Sequence, residues 1–195
     1  MVVILKSDHK KFFQQIKHRA KWSNIARTVI ALCLVFMFSS MPSHKVQFSD
    51  LRGKIFRILR TESLTLSQAL DISQVIADQE EIPASLILAI IDTESDFRIR
   101  IKSRRSCRGL MQLSPQVWKI FMGKTEFKDH RFSYDPVLNV KVGIRYLQDL
   151  FIMYDMDLEK VLKHYYTGRA NIKSKHANRY VRNVMDRAKA FESEL

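Results

Sequence analysis

The sequence has few residues that interrupt regular structure, with only five Gly and four Pro among 195 residues. Sandwiches and barrels of many short strands need frequent turn residues, so this shortage argues against them and favours a mostly α-helical protein. Cysteine is also scarce: Cys33 lies in an apolar run and Cys107 in a basic loop, so no disulfide framework is predicted. The spacings typical of metal ligands and of phosphate-binding glycine loops are missing, and we expect no metal and no cofactor.

Acidic residues are outnumbered by basic ones, 20 against 33, which leaves a net charge of +13. Residues 1–45 carry +7 of this charge, and the remaining residues carry +6. A surplus of this size attracts polyanions such as nucleic acid, anionic lipid head groups or the carboxylate-rich bacterial wall. Nucleic acid is not an expected partner, because neither zinc-ligand spacing nor a base-stacking motif accompanies the charge.

The longest uncharged stretch runs over residues 28–41, fourteen residues that follow a basic segment. A basic region followed by an apolar stretch of about 7–15 residues is typical of a secretory signal, whereas a membrane span needs about 20. A cleaved signal and an uncleaved anchor over residues 25–41 remain equally supported, because the exit from the stretch lacks a clear pair of small residues. A buried core helix is the weaker third interpretation. Both main interpretations predict that the rest of the chain is exported.

The chain is therefore predicted to have three parts. Residues 1–45 form the basic and hydrophobic signal or anchor, residues 46–65 form a linker with at most one short helix, and residues 66–195 form the folded domain. Apolar residues recur at helical spacing after Leu66, and Asp135 followed by Pro136 predicts the start of another helix. Gly168 is suited to a helix C-terminus.

One carboxylate stands out in the helix predicted after Pro83. Glu94 lies on the same side of that helix as a set of apolar residues three, four, seven and eight positions earlier, namely Ile91, Ile90, Ile87 and Leu86. Burial and the negative end of the helix dipole both raise the pKa of a carboxyl in this position. A carboxyl that keeps its proton near neutral pH can act as a general acid. A boundary glutamate that points to solvent is the alternative.

The residues that follow Glu94 form a recognisable series. In order and spacing, the chain resembles the catalytic domain of the soluble lytic transglycosylases, relatives of goose-type lysozyme, through Glu94-Ser95, Phe97, Ser103, Gly109-Leu110-Met111-Gln112, Pro115, Asp135-Pro136, Asn139, Gly143, Tyr146-Leu147, Tyr165 and Gly168. The resemblance covers roughly residues 66–190. It implies a mostly α fold of the α+β lysozyme-like type, with an active-site cleft.

The resemblance also implies a reaction and a role for individual residues. Glu94 would protonate the glycosidic oxygen between N-acetylmuramic acid and N-acetylglucosamine of peptidoglycan and would then act as base while a 1,6-anhydromuramyl end forms. Ser95 would lie beside the acid, Met111 and Gln112 would shape the sugar-binding floor, and the Tyr165 hydroxyl would lie near the glutamate. A periplasmic, monomeric, cofactor-free enzyme acting on glycan strands is expected. Ser95 as a helix cap, and Met111 and Tyr165 as ordinary core residues, are the alternatives.

Departures from the family pattern keep two other functions open. The family usually has Asn where this chain has Tyr166, which affects the expected sugar contact, and the stretch 98–108 carries six Arg or Lys and no acid. That stretch is either a solvated loop face or a surface attracted to the anionic wall. Asp92 and Asp96 are each two residues from Glu94 and would face away from it, so a single-carboxylate mechanism is predicted. A muramidase that adds water and a weakly active wall-binding module remain the alternatives.

Overall fold

The computed structural model describes residues 44–61, 63–126, 130–169 and 172–195. The description below concerns the compact unit Lys45–Leu195, together with His44 as the first residue of its first helix. The predicted signal or anchor over residues 25–41 lies outside the described residues. Among the helices of the described part, none is long and apolar enough to cross a membrane.

The described residues form a helical structure without β-strands. Two isolated antiparallel bridges, Lys102 with Arg108 and Arg108 with Leu113, are the extended pairings found there. The mostly helical prediction is confirmed, whereas the strand component of an α+β fold is not found in this part of the chain. Seven α-helices and one short 3-10 helix are described: α1 (His44–Leu59), α2 (Leu66–Ala77), α3 (Ala84–Ser95), α4 (Pro115–Glu126), the 3-10 helix (His130–Tyr134), α5 (Pro136–Met153), α6 (Leu158–Thr167) and α7 (Lys175–Glu194).

Helix α1 occupies most of the segment predicted to be a linker. Ile55 and Leu59 are fully buried in the same core as the later helices. Lys54 Nζ donates a hydrogen bond of 2.5 Å to the carbonyl oxygen of Leu195, which ties α1 to the C-terminus. The structure therefore differs from the linker prediction: Leu51, Ile55 and Leu59 recur every four residues, and this spacing places an apolar stripe on one side of a helix.

Side-chain caps define the starts of the helices. Thr65 Oγ1 accepts a hydrogen bond from the Gln68 amide, while Gln68 Oε1 accepts one from the Thr65 amide, so α2 begins with a capping box. Asp135 caps α5 by accepting from the Leu138 amide at 2.8 Å, with Pro136 as the first helical residue. The predicted start of α5 at Asp135-Pro136 is confirmed.

Helix α3 lies at the centre of the core and carries the candidate acid. All six residues from Leu86 to Ile91 are at most 5% exposed, so this helix is surrounded by protein on every side. It packs most extensively against α7 and also contacts α2. The helix ends at Ser95 because Asp96 and Phe97 adopt left-handed backbone conformations, with φ of 52° and 56°. The chain turns there, which places Glu94 in the last turn of a rigid helix.

Candidate active site

Glu94 combines a buried environment with a single hydrogen-bond donor. Its side chain is only partly accessible to solvent, and Tyr180 Oη donates a hydrogen bond of 2.7 Å to Glu94 Oε1. Burial raises the pKa of Glu94 from its usual 4.5 to about 7, and the hydrogen bond from Tyr180 opposes part of that rise. A large fraction of Glu94 is therefore protonated near neutral pH, as a general acid requires.

The tyrosine that contacts Glu94 was missed in the sequence. Tyr180 belongs to α7, 86 residues after Glu94, and it is 5% exposed. Burial raises the pKa of Tyr180 well above 10, and the negative charge of Glu94 raises it further, so the hydroxyl stays a hydrogen-bond donor. A signal for it exists: Ala177, Tyr180 and Val184 are spaced by three and four residues and form the buried stripe of a helix otherwise rich in charge.

The sequence predicts that the Tyr165 hydroxyl lies near Glu94, but in the structure this hydroxyl donates its hydrogen bond to a different group. Tyr165 Oη donates to the carbonyl oxygen of Met111 at 2.7 Å. Burial raises the pKa of Tyr165 well above 10, and the negative charge of Glu94 raises it further. The hydrogen bond to the carboxylate belongs to Tyr180, while Tyr165 links α6 to the turn that contains Met111.

Ser95 is buried directly after Glu94 and is 1% exposed. Its Oγ donates a hydrogen bond of 2.9 Å to the carbonyl oxygen of Ile91, one helical turn earlier. The hydroxyl proton is therefore used within the last turn of α3. This arrangement corresponds to the alternative in which Ser95 stabilises the helix end.

Met111 and Gln112 lie together in the turn that follows Gly109. Met111 is fully buried, and its Sδ would lie 2.2 Å from a Cβ added to Gly143, so α5 approaches this turn closely enough to require a glycine. Gln112 Nε2 donates to the carbonyl oxygens of Ile101 and Gly109, at 3.1 and 3.0 Å. Both side chains therefore shape the turn itself, and Gly143 is the residue that lets α5 approach it.

A buried asparagine holds this turn against the rest of the domain. Asn139 is fully buried in α5, and its Oδ1 accepts a hydrogen bond of 2.8 Å from the Met111 amide. Its Nδ2 donates to the carbonyl oxygens of Arg108 and Ser133, at 3.0 and 3.1 Å. The sequence pattern included Asn139 without a role. The structure shows that one side-chain amide group makes hydrogen bonds to three backbone groups, from Met111, Arg108 and Ser133.

Tyr166, which stands at the position of the family's usual Asn, lies on the tyrosine that contacts Glu94. Its ring stacks on that of Tyr180, with centroids 4.5 Å apart and planes inclined by 14°. Tyr166 is 43% exposed, in contrast to its half-buried neighbour Tyr165. The structure therefore brings Glu94, Tyr180 and Tyr166 into one contiguous group.

The acids closest to Glu94 in sequence do not join this group. Asp92 forms an ion pair with Arg187 of α7, and Asp96 is an exposed residue at the C-cap of α3. Burial raises the pKa of Glu94 and the hydrogen bond from Tyr180 lowers it, and neither effect involves another carboxylate. Within the described ranges, no group of three or more His, Cys, Asp or Glu side chains could hold a metal ion.

The six basic side chains of residues 98–108, which follow α3, are exposed to solvent with one exception. Arg108 is buried, with 7% exposure, and its backbone pairs with Leu113. The other five basic residues are exposed to solvent: Arg98, Arg100, Lys102, Arg104 and Arg105. This cationic surface directly follows the turn that carries Glu94.

The chain is similar to known lytic transglycosylases. The family model "Transglycosylase SLT domain" matches residues 71–186. "Membrane-bound lytic murein transglycosylase E" of Buchnera aphidicola subsp. Acyrthosiphon pisum is 25% identical over 153 residues, covering 75% of this chain and 67% of that protein.

Solved structures show the same fold over part of their length. The lytic transglycosylase Slt of Pseudomonas aeruginosa, solved as an inactive mutant, matches 61% of this chain with a TM-score of 0.53 and 19% identity. The 70 kDa soluble lytic transglycosylase of Escherichia coli matches 76% of this chain with a TM-score of 0.53 and 17% identity. The matched regions are 23% and 30% of those two proteins, so this chain corresponds to less than a third of each. The chain belongs to the transglycosylase SLT domain family, which confirms its assignment from sequence to the peptidoglycan lytic transglycosylases.

Proposed function

We propose that this protein cleaves the β-1,4 bond between N-acetylmuramic acid and N-acetylglucosamine with Glu94 as the only catalytic carboxyl group. The single observation that carries the proposal is the state of Glu94, whose pKa of about 7 leaves a large protonated fraction at neutral pH. The protonated carboxyl gives its proton to the glycosidic oxygen as the bond between that oxygen and the anomeric carbon breaks. The leaving N-acetylglucosamine keeps the bonding electron pair and the proton.

The same carboxyl then completes the reaction as a base. Glu94, now ionised, accepts the proton of the muramic acid 6-hydroxyl while the oxygen of that hydroxyl bonds to the anomeric carbon. The product has a 1,6-anhydromuramyl end, and no water is consumed. Tyr180 supports both steps because its hydroxyl donates to Glu94 Oε1 and stabilises the ionised form between them.

The positions of the two acids closest to Glu94 in sequence favour this reaction over hydrolysis. Hydrolytic glycosidases usually place two carboxyl groups around the scissile bond, separated by about 5–9.5 Å. Asp92 is paired with Arg187, and Asp96 lies exposed beyond the end of α3, so neither is arranged as the partner of Glu94. A nucleophile supplied by the sugar itself removes the need for such a partner.

The remaining site residues are proposed to support the substrate rather than to react. Met111 and Gln112 would support the floor of the sugar site through the turn that contains them, which Tyr165 of α6 holds by its hydrogen bond to the Met111 carbonyl oxygen. Ser95 would keep the last turn of α3 rigid through its bond to Ile91. Glycan strands are the proposed partner, and the exposed basic segment would attract their anionic substituents.

The proposed location is the periplasm, with the enzyme acting as a monomer. The support for export is the hydrophobic stretch 28–41 behind a basic segment. The relative from Buchnera aphidicola is described as membrane-bound, and an uncleaved segment 25–41 would hold this chain at the inner membrane in a similar way.

The test is a product analysis with the full chain. The protein and its Glu94→Gln variant are incubated with insoluble peptidoglycan, and the released muropeptides are weighed by mass spectrometry. We expect fragments one water lighter than hydrolysed ones from the unchanged protein and none from the variant. Fully hydrated fragments would identify a muramidase, and binding to the wall without any soluble product would identify a wall-binding module.

A further inference from the structure

Tyr166 is an exposed aromatic residue whose ring stacks on that of Tyr180. Its ring lies nearly parallel to that of Tyr180 at 4.5 Å, and in the part of the chain that the structure describes its hydroxyl makes no hydrogen bond. Core packing does not account for it, because Tyr166 is 43% exposed while the adjacent, partly buried Tyr165 packs against the core. The resemblance to the family predicts an asparagine here, which has no ring to stack.

We propose that Tyr166 is a positioning residue that clamps the ring of Tyr180 and so keeps the Tyr180 hydroxyl on Glu94 during turnover. The proposal rests on the proposed function of Glu94. A tyrosine hydroxyl stays within 2.7 Å of a carboxyl oxygen only while its ring is held in one orientation. Tyr180 is anchored in α7 through its backbone, and Tyr166 of α6 covers its ring. An aromatic neighbour in a parallel arrangement restricts that ring more than a small polar side chain would.

The electrostatic surroundings of Glu94 make this clamp measurable. The titratable groups that interact with Glu94 are Tyr180 of α7 and Tyr165 of α6. Two residues before Glu94 on α3, Asp92 is paired with Arg187. Cys107, in the segment after α3, contributes to the raised pKa of Tyr165. Among these groups, the hydrogen bond from Tyr180 lowers the pKa of Glu94 against the effect of burial. A loosened Tyr180 therefore raises the pKa of Glu94, which moves the alkaline limb of activity to higher pH.

A second effect of removing the ring has the opposite sign. Water that enters the space left by Tyr166 would lower the pKa of Glu94 by relieving its burial. The two effects differ in their dependence on Tyr180. A shift caused by the clamp disappears when the Tyr180 hydroxyl is absent, whereas a shift caused by water persists.

The experiment compares the full chain carrying Tyr166→Ala, Tyr166→Asn and Tyr166→Phe, each with and without Tyr180→Phe. The pH dependence of kcat is measured on soluble glycan strands. When Tyr180 is unchanged, we expect Tyr166→Ala and Tyr166→Asn to lower kcat by about 2- to 10-fold with a smaller change in KM. The size follows because a stacked aromatic pair contributes about 0.5–1.5 kcal/mol. The alkaline limb of both variants moves to higher pH, as in Tyr180→Phe alone. Tyr166→Phe keeps the ring and retains the unchanged profile.

Three results would overturn the proposal: an alkaline limb that moves to lower pH, a shift that persists in the Tyr180→Phe background, or full activity in Tyr166→Asn. Phe132→Ala is the matched control, because it removes another aromatic ring of similar exposure, 49%, from the 3-10 helix. We expect its profile to match that of the unchanged protein.

A measurement without turnover separates this proposal from the proposed function. The side-chain carboxyl carbon of Glu94, labelled with ¹³C and identified by its loss in Glu94→Gln, is titrated by NMR. We expect the midpoint to rise in Tyr166→Ala and to remain unchanged in Tyr166→Phe. An unchanged midpoint in Tyr166→Ala refutes the clamp even if the enzyme is active, whereas a raised midpoint in a protein without lyase activity would leave the clamp intact and remove the proposed function.

Discussion

Replacing Glu94 by Gln is expected to make the protein more stable above neutral pH while abolishing activity. The amide has almost the same shape as the protonated carboxyl and can still accept the hydrogen bond from Tyr180. It cannot ionise. The variant therefore retains the form of residue 94 that the buried environment favours at every pH.

The size of the effect follows from the displaced pKa of Glu94. The rise from 4.5 to about 7 means that, between these pH values, the folded chain holds a proton that the unfolded chain has released. The free energy of unfolding therefore falls as the pH rises through this window. One pKa unit corresponds to about 1.4 kcal/mol, so the full loss is about 3 kcal/mol, of which about 2.5 kcal/mol falls between pH 5 and pH 8. This is an upper value, because Glu94 keeps some contact with solvent.

The assay is urea unfolding of both proteins at several pH values from 5 to 8. We expect similar stability at pH 5 and a growing advantage of Glu94→Gln as the pH rises to 8. Glu80→Gln, which changes an exposed glutamate, controls for the general loss of a negative charge. A stability difference that does not change with pH would show that burial does not displace the pKa of Glu94, and the acid role argued from it would fail.

Three further substitutions test other parts of the site. Tyr180→Phe removes the donor to Glu94, so kcat should fall and the alkaline limb of the pH–rate profile should move upward; an unchanged limb would contradict the hydrogen bond. Asn139→Ala leaves the buried amide of Met111 without its acceptor and should lower the free energy of unfolding by about 3 kcal/mol, measured by urea denaturation, whereas a loss below about 1 kcal/mol would contradict this role. Gly143→Ala places a methyl group 2.2 Å from Met111 Sδ and should lower the free energy of unfolding by about 1–3 kcal/mol in the same assay. If Gly143→Ala costs no stability when it is added to Met111→Ala, the clash with the Met111 side chain is confirmed.

Local sequence signals predicted the helices and their ends better than they predicted contacts. The N-cap at Asp135 and the C-cap at Gly168 each depend on residues a few positions apart. Helix α1 was missed because its apolar stripe is short and interrupted by basic residues. Its burial depends on contacts with distant parts of the chain, such as that of Lys54 with Leu195.

The partner of Glu94 could not be derived from local spacing. The motif indicated Tyr165, whose hydroxyl instead reaches the Met111 carbonyl, and the hydrogen bond to the carboxylate comes from Tyr180, 86 residues after Glu94. Two tyrosines on adjacent helices converge on the same region, and the packing of α6 and α7 decides which one reaches the acid. Residue types along the chain do not contain that information without the geometry of the helices.

The contribution of the last helix has a consequence for how the enzyme is made. Every residue of the recognisable motif, from Glu94 to Gly168, is synthesised before α7, yet the hydrogen-bond donor to the Glu94 carboxyl group lies within α7. A nascent or proteolysed chain that ends before Lys175 would carry the complete motif and still lack the partner that stabilises its ionised acid. Activity should therefore begin only once the final segment has docked, and trimming of the C-terminus would be an effective way to silence the enzyme.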